Sequence, residues 1–136
     1  MTVTEAFRSF ILADATLAAK VAAVQPDVLQ QGFSGSCAAV VSLISCESRS
    51  TLEGATDLCD ARVRIKFWAV KAEDAEVCAF RFRSLISKFN GNLGGGSHVR
   101  LSVHKTAGPF GLYDTDIRYY LRAIDVIGIL DTSTVA

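Results

Sequence analysis

The side chains that could do chemistry in this 136-residue chain are four cysteines, two histidines, a run of three glycines and a short stretch dense in cations. Cys37, Cys46, Cys59 and Cys78 contain no Cys-x-x-Cys pair to open a zinc site. With no secretory signal at Met1–Glu5, they read as small buried apolar residues of a reducing compartment. His98 and His104 fall on one face of an expected strand. At ~3.3 Å per residue they stand about 20 Å apart, too far to share a metal. They read as surface histidines. Gly94-Gly95-Gly96 lacks the Gly-Lys-Ser/Thr continuation of a phosphate loop and is followed by strand pattern, so it reads as a hairpin exit. No Gly-x-Ser-x-Gly elbow or local cysteine signature supplies a nucleophile. We therefore expect no catalytic residues, no metal and no cofactor.

Two other groups of residues look outward. Arg62, Arg64, Lys66 and Trp68 alternate with apolar residues and share one strand face. A basic face with an aromatic could bind nucleic acid by phosphate contact and stacking, meet an acidic partner, line a channel, or simply be solvated. Val77 and Phe80, and then Phe110, Leu112 and Tyr113, are apolar where a monomer often carries polar residues. They are candidate contact patches between subunits, or they close over the edge of the domain's own core.

Composition narrows the class of protein. The length suits one domain. Hydrophobic residues are 50%, charged residues 21%, and the formal net charge is zero. That balance argues against disorder and against a general nucleic-acid binder. The apolar surplus hints at surface buried between subunits. No apolar run approaches the ~20 residues of a membrane span.

The elements that must hold these residues can be read from periodicity. Thr2 and Glu5 have capping-box spacing ahead of an apolar helical stripe from Phe7 to Val21, with Asp14 exposed or capping a second short helix, and Pro26 ending the helical region. Gln30–Ser36 reads as loop. Cys37–Ser45 reads as a strand covered on both faces, and Glu47–Leu58 as a loop or the excursion of a hairpin. Ala61–Val70 alternates strictly, with Ala61, Val63, Ile65, Phe67 and Ala69 inward. Ala72–Phe89 is an amphipathic helix whose acidic start, Glu73, Asp74 and Glu76, complements the macrodipole and whose stop is Asn90-Gly91. Ser97–Lys105 reads as strand, Thr106–Thr115 as loop, and Asp116–Leu130 as a final strand with a bulge near Ala123–Asp125 or burial of both faces. The expectation is an α+β fold, in the order α-β-β-α-β-β. About four strands form a mainly antiparallel sheet with two main helices on one face. Residues 1–130 form the domain and 131–136 a loose tail.

The order of these parts resembles the tail terminator, or tail completion, proteins of long-tailed bacteriophages and phage-like particles, gene transfer agents included. Phe10-Ile11-Leu12-Ala13-Asp14-Ala15-Thr16-Leu17-Ala18-Ala19 looks like the family's first helix. Thr51-Leu52-Glu53-Gly54 followed by Ala61–Ala69 looks like its central motif and strand. Ala72–Phe89 with Asn90-Gly91-Asn92-Leu93-Gly94-Gly95 looks like its second helix and glycine exit, and Leu112-Tyr113-Asp114 with Tyr119–Ile129 like its last loop and strand. Where the family often leads its first strand with a proline and an aromatic, this chain has Ser36-Cys37-Ala38-Ala39-Val40-Val41. The resemblance implies a structural virion protein. Its copies would form a ring, typically of six, that caps the tail tube, ends its polymerisation and joins tail to head-neck. The implied partners are other copies of itself, the tail tube protein and neck or head-completion proteins. DNA would be met only as it passes through the channel, and no membrane is involved. The implied place is the neck-proximal end of the tail in a virion or phage-like particle, assembled in the host bacterial cytoplasm. The other readings are a different neck or head-completion protein, a small cytoplasmic Cys/His enzyme, or a single-strand nucleic-acid binder.

Overall fold

A computed structural model describes residues 2–29, 36–51, 54–93, 99–131 and 133. The expected loop at 30–35, the Gly94-Gly95-Gly96 run, Ser97, His98, Leu52 and Glu53, and most of the expected tail lie outside the described residues. Among those described, the order is α1 (Val3–Leu12), α2 (Ala15–Lys20), β1 (Val21–Pro26), β2 (Cys37–Thr51), β3 (Gly54–Ala69), α3 (Ala72–Ile86), β4 (Asn90–Asn92), β5 (Arg100–Asp114) and β6 (Tyr119–Asp131). The class is α+β, as expected. The sheet is larger than expected: six strands in the order β1-β2-β3-β6-β5-β4, with three helices.

Local chemistry explains the helix boundaries. Thr2 and Glu5 form a reciprocal capping box, with Thr2 Oγ1 accepting from Glu5 N at 3.1 Å and Glu5 Oε2 accepting from Thr2 N at 2.9 Å. Asp14 does cap a second helix, its Oδ2 accepting from Leu17 N at 3.1 Å. That helix stops at Lys20. Val21–Pro26, expected to be helical, is instead an edge strand parallel to β2. β-branched Val21 and Val24 favour it, and Pro26, which lacks an N–H, is tolerated at a strand end. α3 ends at Ile86, earlier than expected. Ser87 Oγ donates to Arg83 O at 2.7 Å, and Lys88 takes a left-handed φ of 61°. The stop residues Asn90–Asn92 pair with Arg100–Ser102 as β4.

The middle of the chain forms a long hairpin. β2 and β3 stay paired out to Thr51 and Gly54, which settles Glu47–Leu58 as the hairpin excursion. Cys37–Val41 is buried on both faces, as expected, but β2 then emerges and exposes Leu43 and Ile44. The expected loop over Thr106–Thr115 is also wrong. β5 continues to Asp114, and Gly108 and the cis Gly108–Pro109 peptide are absorbed in a bulge between Ala107 and Phe110. The true turn follows. Asp114 Oδ1 accepts from Asp116 N at 2.9 Å, Arg118 adopts a φ of 59°, and the last strand begins at Tyr119 rather than Asp116. The irregularities that shift register lie in β5, while β6 runs unbroken along β3 from Tyr120 to Asp131. The mixed parity of its apolar residues comes from burial of both faces across Ala123–Val126.

The main core lies between one sheet face and the three helices. Ala61, Val63, Ile65, Phe67 and Ala69 all point into it. Phe82 of α3 is its centre, with ring centroids 6.4 Å from Phe7, 5.9 Å from Phe10 and 5.7 Å from Phe67. Lys20 bridges to Asp74 at 3.1 Å and Arg81 to Asp14, tying α2 to α3. No described helix is long and apolar enough to cross a membrane.

The cysteines divide into two kinds, which corrects the reading of all four as small buried apolar residues. Cys37 and Cys78 are free and buried between β2 and α3. Cys46 and Cys59 form a disulfide diagonally across β2 and β3, with Cα atoms 5.6 Å apart.

Candidate functional site on the open face of the sheet

The period-two alternation of β3 sends Arg62, Arg64, Lys66 and Trp68 to the face away from the helices, all half-buried. Antiparallel register sets β6 beside them: Trp68 opposite Leu121, Lys66 opposite Ala123, Arg64 opposite Asp125. Asp125 is 0% exposed and is the only charged residue in the buried set of described residues. Sequence reasoning missed it. The signal was there, since a carboxylate between Ile124 and Val126 in an apolar strand requires a partner.

Two guanidiniums supply that partner. Arg62 Nε donates to Asp125 Oδ2 at 2.8 Å, and Arg64 donates through Nε to Oδ1 at 2.7 Å and through Nη2 to Oδ2 at 3.0 Å. Burial works against the Asp125 carboxylate, but hydrogen bonds from Arg64 and Arg62 outweigh it and hold its pKa below the ordinary value. Asp125 in turn holds the Arg64 pKa above its usual value. The Arg64 guanidinium also sits 5.9 Å from the Phe110 ring centroid, within cation–π range. Two of the three cations are therefore committed within the fold. Lys66 has no ion pair among the described residues.

Lys66 and Arg64 border a shallow groove of about 390 Å³, floored by Leu121 and Ala123 and walled by Phe110 and Leu112. The β5 bulge sets this wall, because it places Phe110 opposite Ala123 and Leu112 opposite Leu121. The structure thus gathers seven residues around one groove, four of them candidates from the sequence: Arg64, Lys66, Phe110 and Leu112. Tyr113 is not among them. It pairs with Tyr120, ring centroids 4.6 Å apart, and Tyr120 packs on the helix-side core.

Val77 and Phe80 lie on the opposite layer. They are 38% and 52% exposed on the outer surface of α3, at helical spacing from Glu73 and Glu76. Glu76 accepts from Arg122 Nη2 at 3.0 Å, whereas Glu73 has no ion pair among the described residues. His104 is exposed on β5. Among the described residues, no three His, Cys, Asp or Glu side chains come close enough to hold a metal. Contact with the Cys78 thiol, and then burial, push the Cys37 thiol well above its usual pKa, while the same contact holds the Cys78 thiol below its own. What the site offers is a contact surface: an apolar groove with a cationic rim on one face, and on the other an apolar ridge with Glu73 and Glu76 at its N-terminal end and Arg81 and Arg83 at its C-terminal end. Set against models of known protein families and against curated proteins, the chain matches none.

Proposed function

We propose that this chain is the subunit of a ring, of about six copies, that caps a phage tail tube, ends tube growth and joins the tail to the head-neck. The observation that supports this reading most directly is the placement of the exposed apolar residues. Phe110 and Leu112 lie on one face of the domain, Val77 and Phe80 on the other. A subunit with two different apolar surfaces on opposite faces is built for head-to-tail association, which generates rings when its rotation closes. The likeness of the sequence parts to tail terminators supplies the biological setting. The partners would be further copies, the tail tube protein and neck or head-completion proteins. DNA would meet only the channel, and the place would be the neck-proximal end of the tail of a virion or phage-like particle.

The basic face favours single-strand nucleic-acid binding less than the sequence alone suggests, because Arg62 and Arg64 are both turned onto the one Asp125 carboxylate; with Lys66 the face holds three cations against a single anion. The test is direct. Purified protein viewed by negative stain should form rings, and particles assembled without it should carry tails of uncontrolled length. Tails of normal length in its absence would refute the reading, and a position inside the head side of the neck would favour a head-completion protein.

A further inference from the structure

We propose that the ring contact, if the chain is a ring subunit as argued above, seats the outer face of α3 from one copy in the open-face groove of the next. Phe80 and Val77 would enter the groove between Phe110 and Leu112, and Glu73 would meet Lys66. The occupant of the groove is therefore a second copy of this chain.

The argument rests on charge and on placement. The groove is apolar with a rim of Arg64 and Lys66. The α3 ridge is apolar, flanked by Glu73 and Glu76 toward its N-terminal end and by Arg81, which is paired with Asp14, and exposed Arg83 toward its C-terminal end. Lys66 and Glu73 each lack an ion pair in their own subunit among the described residues, so bringing them together gives each a partner of opposite sign. Groove against groove about a two-fold axis would set Lys66 and Arg64 near their own copies, and like charges facing each other disfavour it. Ridge against ridge, with the two helices antiparallel, would bring Glu73 toward Arg83 but would leave the groove and Lys66 uncovered. The heterologous pairing covers both apolar surfaces and gives Lys66 an anion. Because the two surfaces lie on opposite layers, each copy keeps one free groove and one free ridge until the ring closes.

This predicts a complementation that no symmetric interface can give. Phe80→Asp removes the ridge and keeps the groove. Leu112→Asp removes the groove and keeps the ridge. Both residues are exposed, so both variants should keep the wild-type circular dichroism spectrum and melting behaviour. Each alone should be monomeric by native mass spectrometry, its association weakened at least about thirtyfold. Mixed in equal amounts, they should form 1:1 heterodimers and nothing larger, since only one intact ridge and one intact groove meet. A charge exchange provides a second arm: Lys66→Glu or Glu73→Lys alone should weaken the ring, and the two together should restore it. Rings in either Asp variant, or a mixture that stays monomeric, would overturn the pairing. Wild-type protein that forms rings while these outcomes fail would overturn this contact alone. Wild-type protein that stays monomeric at high concentration would overturn the ring reading with it.

Discussion

Replacing Asp125 tests whether the open face is held by a buried carboxylate or merely decorated with charge. In the Asp125→Asn variant the shape is kept and the negative charge is lost, leaving Arg62 and Arg64 facing each other. Breaking a buried ion pair by removing one partner typically costs about 3–5 kcal/mol. Here the arginine side chains are 43% and 35% exposed, so water can recover part of their hydrogen bonding. We expect about 2–3 kcal/mol. With an unfolding entropy of about 0.29 kcal/mol/K for a chain of this length, that is a fall of roughly 7–10 °C in Tm.

The reverse deletion, Arg62→Met with Arg64→Met, should cost more at neutral pH, because it leaves an ionised carboxylate buried without a partner. The two proteins should then differ in the sign of their pH response. In the wild type the folded-state pKa of Asp125 is depressed. Its contribution is present above the unfolded value of about 3.9 and is lost as pH falls through the lower folded pKa. In the double Met variant burial acts alone and the folded pKa rises. The deficit relative to wild type is then largest at pH 7 and shrinks as pH falls toward 4. Urea denaturation at several pH values, with thermal melts, measures both. A melting point unchanged in Asp125→Asn, or a double-variant deficit that stays flat between pH 7 and 4.5, would refute this account of the triad.

Two further outcomes follow from the fold. A Cβ at Gly128 would overlap the backbone carbonyl oxygen of Ser102 on the neighbouring strand, so Gly128→Ala should destabilise by about 1–3 kcal/mol, read from chemical denaturation. Thiol titration should find no reactive cysteine in the native protein, two after unfolding without reductant and four after reduction, because Cys37 and Cys78 are buried and Cys46 is bonded to Cys59; a fast-reacting thiol in native protein would contradict this assignment, and four thiols after unfolding without reductant would exclude the disulfide.

What could be read from sequence is what local chemistry decides. The strict alternation of Ala61–Ala69 placed Arg62, Arg64, Lys66 and Trp68 on one face because a strand has no other way to arrange them. The stripe of α3 and the two N-caps were legible for the same reason. Val77 and Phe80 were correctly placed off the buried stripe. What escaped depends on partners distant in sequence. β1 exists because β2 offers it a parallel edge, and six residues carry no sign of that. Gly108-Pro109 carries every local mark of a loop, yet pairing with β6 on both sides carries the strand through it. That continuation separates Tyr113 from Phe110 and Leu112, since neighbours on a strand alternate faces. That Asp125 needs a partner was legible in its apolar strand, but which partner it has could be named only once β6 was known to lie beside β3, 61 residues from Arg64.

The Cys46–Cys59 link bears on this alternation in a further way. A strand that slides by one residue against its neighbour exchanges its two faces completely. For β3 such a slip would drive Arg62, Arg64 and Lys66 into the phenylalanine core and turn Val63, Ile65 and Phe67 to solvent. Shifts of register already occur in this hairpin, between Leu43 and Ser45 and between Ser48 and Ser50, on either side of Cys46. A covalent tie between those two irregular points acts as an indexing pin. It fixes which residue of β2 answers to which residue of β3, and so protects the side-to-side identity of the sheet where the main-chain ladder alone leaves it least defined.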